Sequence, residues 1–171
     1  MPGTPSEQDS AWFQTETEFH ERLYLRGTNP RQQSGFGRDE RDWERFRRPV
    51  VAAIERSGTF LDVGCANGLL MEDVRRWAHE DGYIIEPYGL DISEKLVALA
   101  RRRLPHWHER IYVGNALYWQ SPFRFDYVRT ELVYVPRKQH SPARKASTAA
   151  SSSSRTSRTC STVHGSSAFA T

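Results

Sequence analysis

Between Ser57 and Trp77 the chain changes its rhythm, and that change limits what it can fold into. Thr59-Phe60-Leu61-Asp62-Val63-Gly64 is a short β-rich run bounded by glycines, the pattern of a buried strand. Leu69, Leu70, Val74 and Trp77 follow at helical spacing. The same sequence of patterns then repeats. Residues 83–91 hold a second strand in their last half, with Glu86-Pro87 as an irregular entry. Ser93 caps a helix whose apolar face is Leu96, Val97, Ala100 and Leu104, and Pro105 closes it. Residues 110–113 predict a third strand and residues 125–128 a fourth. Strands alternating with helices call for right-handed crossovers and a parallel sheet. The expected class is α/β, a doubly wound parallel sheet.

The flanks differ from this core. The first ten residues read as a frayed arm. Trp12, Phe13, Phe19, Leu23 and Tyr24 predict a helix over 11–25, ended by Gly27-Thr28-Asn29-Pro30. Residues 31–37 read as a loop. Asp39 caps a second helix expected to run to about Arg56, with Trp43, Phe46, Val50, Val51 and Ile54 on one stripe and a bend at Pro49. Beyond Pro136 the pattern is lost. Residues 137–171 hold ten Ser and five Thr, with Phe169 the only aromatic and no Leu or Ile. Such a segment cannot offset its ordering entropy. The expected organisation is an arm and helical cover (1–58), a ligand-binding βαβ core (59–136) and a disordered Ser/Thr/Arg-rich tail (137–171).

Charge follows the same division. The formal net charge is +3, but residues 137–171 carry six basic residues and no acidic one. The remainder has 18 basic and 21 acidic residues, a net of −3. A body of that sign gives no nucleic-acid signature. Two cysteines, Cys65 and Cys160, make neither a disulfide framework nor a zinc site. His106 and His108 flank Trp107 but lack a third ligand, so no metal is expected. No apolar run approaches the roughly 20 residues of a membrane span. The polar start lacks the apolar region of a secretory signal. The expectation is a soluble, cytoplasmic protein without a membrane partner.

The stretch Asp62-Val63-Gly64-Cys65-Ala66-Asn67-Gly68 lies between strand and helix. Small residues at 64, 66 and 68 allow a tight turn and close approach of a ligand to the backbone. The helix N-terminus that follows favours an anion. Asp91 ends the second strand, where a carboxylate can accept both hydroxyls of a ribose. Together they describe a nucleoside-containing ligand across the carboxyl ends of parallel strands. A dinucleotide fingerprint would place its third glycine at position 69, which is Leu69. Asp62 would also repel a pyrophosphate and suits a ligand carrying an ammonium or sulfonium. An NAD-dependent oxidoreductase is therefore disfavoured. Cys65 reads as a small turn residue offering its backbone, since no histidine partner activates it. Arg101-Arg102-Arg103 reads as a solvated helix end, and Trp119 as packing.

With these residues in view, the chain resembles the class I S-adenosylmethionine-dependent methyltransferases. Residues 62–68 look like their first motif, and Tyr88-Gly89-Leu90-Asp91-Ile92-Ser93 like the acidic-loop motif. Gly114-Asn115-Ala116 and Phe125-Asp126-Tyr127-Val128 are similar to the segments after the third strand and at the fourth. The resemblance covers about residues 40–136. It implies S-adenosyl-L-methionine as cofactor, held by Asp62, Gly64, Cys65, Ala66, Gly68, Asp91, Ile92, Asn115 and Ala116. Asp91 would take the ribose, Ile92 would lie against adenine, and Asn115 would accept from the adenine amino group. Arg129, Thr130 and Glu131 would meet the methionine end or the acceptor. Ala66 stands where the family has glycine, a mild change in size, and Asn115 stands where aspartate is commoner. The implied reaction is methyl transfer to an acceptor expected to be a small molecule, with the catalytic residues unassigned. The alternative is a non-catalytic cofactor-binding fragment. The abrupt change near Pro136 carries a further expectation: a chain truncated or out of frame after about residue 136–140, poorly active, its fold incomplete in the C-terminal half.

Overall fold

The computed structural model describes residues 7–131. The expected tail, and residues 132–136 of the expected core, lie outside the described residues. Four helices and four strands follow one another: α1 (Glu7–Tyr24), α2 (Glu40–Arg47), β1 (Gly58–Val63), α3 (Leu69–Glu80), β2 (Ile85–Asp91), α4 (Glu94–Arg103), β3 (Ile111–Val113) and β4 (Tyr127–Thr130). All strands are parallel, in the order β3-β2-β1-β4. The chain steps from β1 to β2 to β3 in one direction, so right-handed crossovers put α3 and α4 on the same face. It then crosses back to lay β4 on the other side of β1. The reversal between β1 and β4 opens a crevice at the carboxyl ends of the strands, where ligands of open α/β sheets bind.

Strand alternation divides the core. Phe60, Ile85 and Tyr127 pack with Leu70, Val74 and Trp77 of α3 and with Trp43, Val50, Val51 and Ile54 of the N-terminal cover. Leu61, Leu90 and Val128 point to the opposite face. There Phe125, Tyr88, Tyr112 and Trp119 cover them. Trp119 thus packs, as its sequence context predicts, against the Tyr112 ring. The α4 stripe Val97, Ala100 and Leu104 is buried with Met71, Trp107 and Ile111.

Three expectations need revision. The second cover helix is regular only to Arg47 and tightens into a 3-10 helix over Arg48–Ala53, because Pro49 removes an amide donor. Asp39 caps α2 as expected, its carboxylate accepting from the Asp42 amide, but Phe46 of the expected stripe is 37% exposed. Proline does not break β2: Pro87 pairs with Phe60 of β1, whereas β3 joins β2 only from Gly89, so one flank at Pro87 carries no ladder. β4 lies two residues later than its apolar run predicts, because Phe125 and Asp126 form the entry to the strand. The Asp126 carboxylate accepts from the Thr59 amide and hydroxyl, and the Asp126 amide donates back to that hydroxyl. This shift moves Arg129 and Thr130 from the loop into the strand.

Candidate cofactor pocket

A cavity of about 580 Å3 sits over the carboxyl ends of β1, β2 and β4, within the usual range for a small-molecule site. Asp62, Gly64, Cys65, Ala66, Asp91, Ile92, Asn115 and Ala116 all line it. Eight of the nine residues assigned from sequence are therefore brought together. Gly68 is the exception. It is the N-cap of α3 at φ +77°, and a Cβ there would stand 2.6 Å from the Leu104 methyl. Gly68 serves helix packing, while Gly64 (φ +83°) faces open space, with nothing within 4 Å of where a Cβ would be.

Two turns of backbone fix Asp91. Its Oδ2 accepts from the Ala66 amide at 2.8 Å, and its Oδ1 accepts from the Ser93 amide at 2.9 Å. The carboxylate thereby ties the glycine loop to the start of α4. Burial raises its pKa above the ordinary carboxylate value, the Ser93 and Ala66 amides oppose that rise, and the nearby Asp62 adds to it. Each oxygen keeps a second lone pair that a ligand hydroxyl can use. Ser93 caps α4 by accepting from the Leu96 amide, and its hydroxyl donates to Glu21 of α1. Lys95 also donates to Glu21, so α1 is latched over the pocket by its polar edge.

The glycine loop departs from its sequence reading at Ala66. Its φ of +47° lies in the left-handed region, so the cost of alanine here is conformational and size is the lesser matter. Asn115 turns out to hold a turn: its Oδ1 accepts from the Leu117 amide at 3.0 Å, leaving one lone pair for any ligand. Cys65 is buried, with its thiol pushed well up by desolvation, which agrees with a backbone role. The arginine triplet is not a merely solvated helix end. Arg101 donates twice to the Ile111 carbonyl, and Arg103 donates to the Asn67 carbonyl and pairs with Glu72.

Asp62 brings the largest correction. It lies opposite Arg129 in the β1–β4 register, and Arg129 Nη1 donates to Asp62 Oδ1 at 3.0 Å. Asp62 is 1% exposed and Arg129 4%. The carboxylate expected to greet a ligand cation already has an internal one. The two-residue shift of β4 is what hid this pairing. It also weakens the charge argument against a pyrophosphate, leaving Leu69 at the first turn of α3 as the departure from a dinucleotide fingerprint.

Sequence reading missed the α1 side of the cavity. Phe13, Thr17, His20 and Tyr24 line it. Their spacing of four, three and four residues is a helical stripe that the sequence displayed. His20 Nδ1 lies 2.7 Å from the Glu16 carbonyl, which can only accept, so Nδ1 carries the proton. Tyr24 is buried against Ala66 and Leu96, closing the loop from above. Among the described residues no helix is long and apolar enough to cross a membrane.

Against known proteins, no family model matches the chain, and no curated protein matches it. Solved structures do. The complex of DhpI with SAM and HEP aligns at a TM-score of 0.57 and 14% identity, over 88% of this chain and 64% of DhpI. The sugar N-methyltransferase KedS8 from Streptoalloteichus sp. aligns at 0.52 and 20% identity, over 68% of this chain. The fold is that of the class I methyltransferases. DesVI of Streptomyces venezuelae aligns at 0.49 and 19% identity over 66% of this chain. The chain spans 46% of KedS8 and 46% of DesVI, about half of each.

Proposed function

We propose that this chain binds S-adenosylmethionine in the β1–β4 crevice and serves methyl transfer to a small-molecule acceptor. The observation that carries the reading is the Asp91 carboxylate at the end of β2, joined to the Ala66 amide of a glycine loop whose Gly64 leaves open space. The residues fit the cofactor. Asp91 has lone pairs for two ribose hydroxyls. Ile92, 38% exposed on the cavity wall, offers an apolar face for adenine, and Asn115 and Ala116 lie on the same wall. The bound cofactor would supply an electrophilic methyl group on sulfonium. The chain's own residues bind and orient: Asp91 fixes the ribose, the loop backbone sets the depth of the ligand, and α1 shields the cavity from water. Holding donor and acceptor in register is the main contribution such a protein makes to the reaction.

The test is calorimetry with S-adenosylmethionine, followed by a transfer screen with labelled donor. Binding with labelled product supports the proposal. Binding without any product supports the reading as a cofactor-binding fragment. Absence of binding by a folded chain rejects both.

A further inference from the structure

A hydroxyl or amine acceptor must lose a proton as it takes a methyl group, and a base on the cavity wall has to receive that proton. Most ionisable groups there are engaged. Asp62 and Glu131 pair with Arg129, and Glu131 also pairs with Arg47. Asp91 accepts from two amides and faces the ribose in the proposed function. The Cys65 thiol is buried and pushed well up by desolvation. His20 differs. Its imidazole lines the cavity from α1, with the side chain 20% exposed. Nδ1 donates to the Glu16 carbonyl at 2.7 Å, so the basic lone pair of the ring is on Nε2. The rings of Phe19 and Tyr24 meet the imidazole edge-on at 5.3 and 5.4 Å and brace its plane. A base whose tautomer and orientation are fixed by a further group is the arrangement that proton abstraction needs.

We infer that His20 is the general base of the transfer, and that the acceptor is therefore a molecule whose nucleophilic oxygen or nitrogen carries a proton. The inference rests on the proposed function. In the step, the acceptor's lone pair forms a bond to the methyl carbon. The carbon–sulfur bond breaks with its electrons going to sulfur, and the acceptor's proton passes to Nε2 of His20. The sulfonium charge is lost as the imidazolium charge appears. Two carboxylates meet that new charge. Glu16 Oε2 lies 3.8 Å from Nδ1 on the same helix, and Asp91 at the end of β2 is close enough for a charge on His20 to act on it. Tyr24 is the other titratable group against the ring. Asp91 also fixes where the chemistry falls. The ribose it would hold is joined to the sulfonium through a methylene, so a cover residue near Asp91 is near the reacting end.

The experiment uses the full chain, His20→Asn and His20→Gln, with labelled S-adenosylmethionine and two acceptors. Phenol keeps its proton in mildly alkaline buffer, and nitrophenol has largely released its own there. Label transfer to phenol should fall at least about a hundredfold in the variants, the usual contribution of a general base. Transfer to nitrophenol should fall much less, because no proton has to move. The acid limb of the parent's pH profile with phenol should disappear, and S-adenosylmethionine affinity by calorimetry should be unchanged. Asparagine can keep a donor for the Glu16 carbonyl, so it serves if the glutamine variant fails to fold. NMR of the full chain with nitrogen-labelled histidine needs neither acceptor nor cofactor and should find the His20 proton on Nδ1. A proton on Nε2 overturns the assignment. So does an equal fall for both acceptors, no fall for either, or a loss of cofactor affinity that matches the loss of transfer. A parent that binds S-adenosylmethionine yet transfers no label to phenol also overturns it, and leaves cofactor binding standing. If the folded parent does not bind S-adenosylmethionine, the proposed function itself fails and the base falls with it.

Discussion

The two ends of β1 each carry a carboxylate partner, and they are handled in opposite ways. At the amino end, Asp126 accepts from the Thr59 amide and hydroxyl and pairs with Arg56 at 2.6 Å. Burial pushes its pKa up, but these hydrogen bonds and the Arg56 charge win, and the net shift is downward. Beside it the Tyr127 hydroxyl donates to the Arg56 carbonyl and accepts from the Glu55 and Arg56 amides, each at 3.2 Å. At the carboxyl end of the sheet, Asp91 receives two amide bonds and still has its pKa raised by burial. One end satisfies its charges and stabilises the fold. The other holds a buried carboxylate at a cavity wall, where desolvation outweighs its two amide bonds. Of the two carboxylates only Asp91 lines the cavity, and a perturbed carboxylate in a cleft is a candidate functional group.

The sharpest way to break this comparison is to unpair the buried ions. Arg129→Met leaves Asp62 buried without its cation, and breaking a buried pair in this way costs about 3–5 kcal/mol. Urea unfolding should show it. A double change, Asp62→Asn with Arg129→Met, should recover much of that loss. A single variant as stable as the parent would mean that water reaches Asp62 and that the cavity floor is open.

Next in size is ligand affinity. Asp91→Ala removes the acceptor for two ribose hydroxyls, and hydrogen bonds to charged groups contribute about 1.5–3 kcal/mol each. Affinity for S-adenosylmethionine should fall at least tenfold by calorimetry, in a chain whose folding is checked by circular dichroism. Unchanged affinity would remove Asp91 from the site. The pH dependence has a defined sign. The ionised carboxylate is the better acceptor, so affinity should rise with pH through the raised Asp91 value. Over the window from the ordinary 3.8 up to that value, the folded chain holds a proton the unfolded chain has released, so Asp91 makes stability fall as pH rises.

Asp126 runs the other way. Its contribution to stability is fully present above the ordinary value of 3.8 and is lost as pH falls through the lowered folded value. Asp126→Ala should cost about 1–3 kcal/mol through the orphaned Thr59 amide. It should also flatten the acid limb of the stability curve while leaving cofactor affinity as it was. A drop in affinity would show that the two ends of the sheet are coupled.

What the sequence disclosed, and what it hid, follows the range of each interaction. The β1–loop–α3 unit, the Ser93 cap and the place of Asp91 are local patterns, set by residues a few positions apart. The Asp62–Arg129 pair spans 67 positions and depends on strand register, which apolar runs mark only to within a residue or two. The apolar run at Phe125 predicts a strand because a buried entry segment and a buried strand have the same composition. Arg101 and Arg103 looked solvated for a related reason: their acceptors, the Ile111 and Asn67 carbonyls, are backbone groups that no sequence pattern displays. The α1 stripe through His20 is present in the sequence, but hydrophobic periodicity marks only its apolar members.

The smallest expected effect tests the loop itself. Ala66 holds φ +47°, and a left-handed conformation costs an L-residue about 1–2 kcal/mol. Ala66→Gly removes that strain. Against it stands the extra backbone freedom of glycine in the unfolded chain, roughly 0.5–1 kcal/mol. A second opposing contribution is the methyl packed against Tyr24 and Leu96, about 0.8 kcal/mol if fully buried. The three nearly cancel, so stability should change by less than about 1 kcal/mol. The Ala66 amide still donates to Asp91, so affinity for S-adenosylmethionine should hold. Ala66→Val separates the contributions, because a β-branched side chain at positive φ adds strain without removing the contact. It should destabilise clearly more than the glycine variant. If glycine at 66 instead costs more than about 2 kcal/mol, the methyl contact with α1 outweighs the strain. Position 66 would then hold the cover in place as much as it shapes the loop.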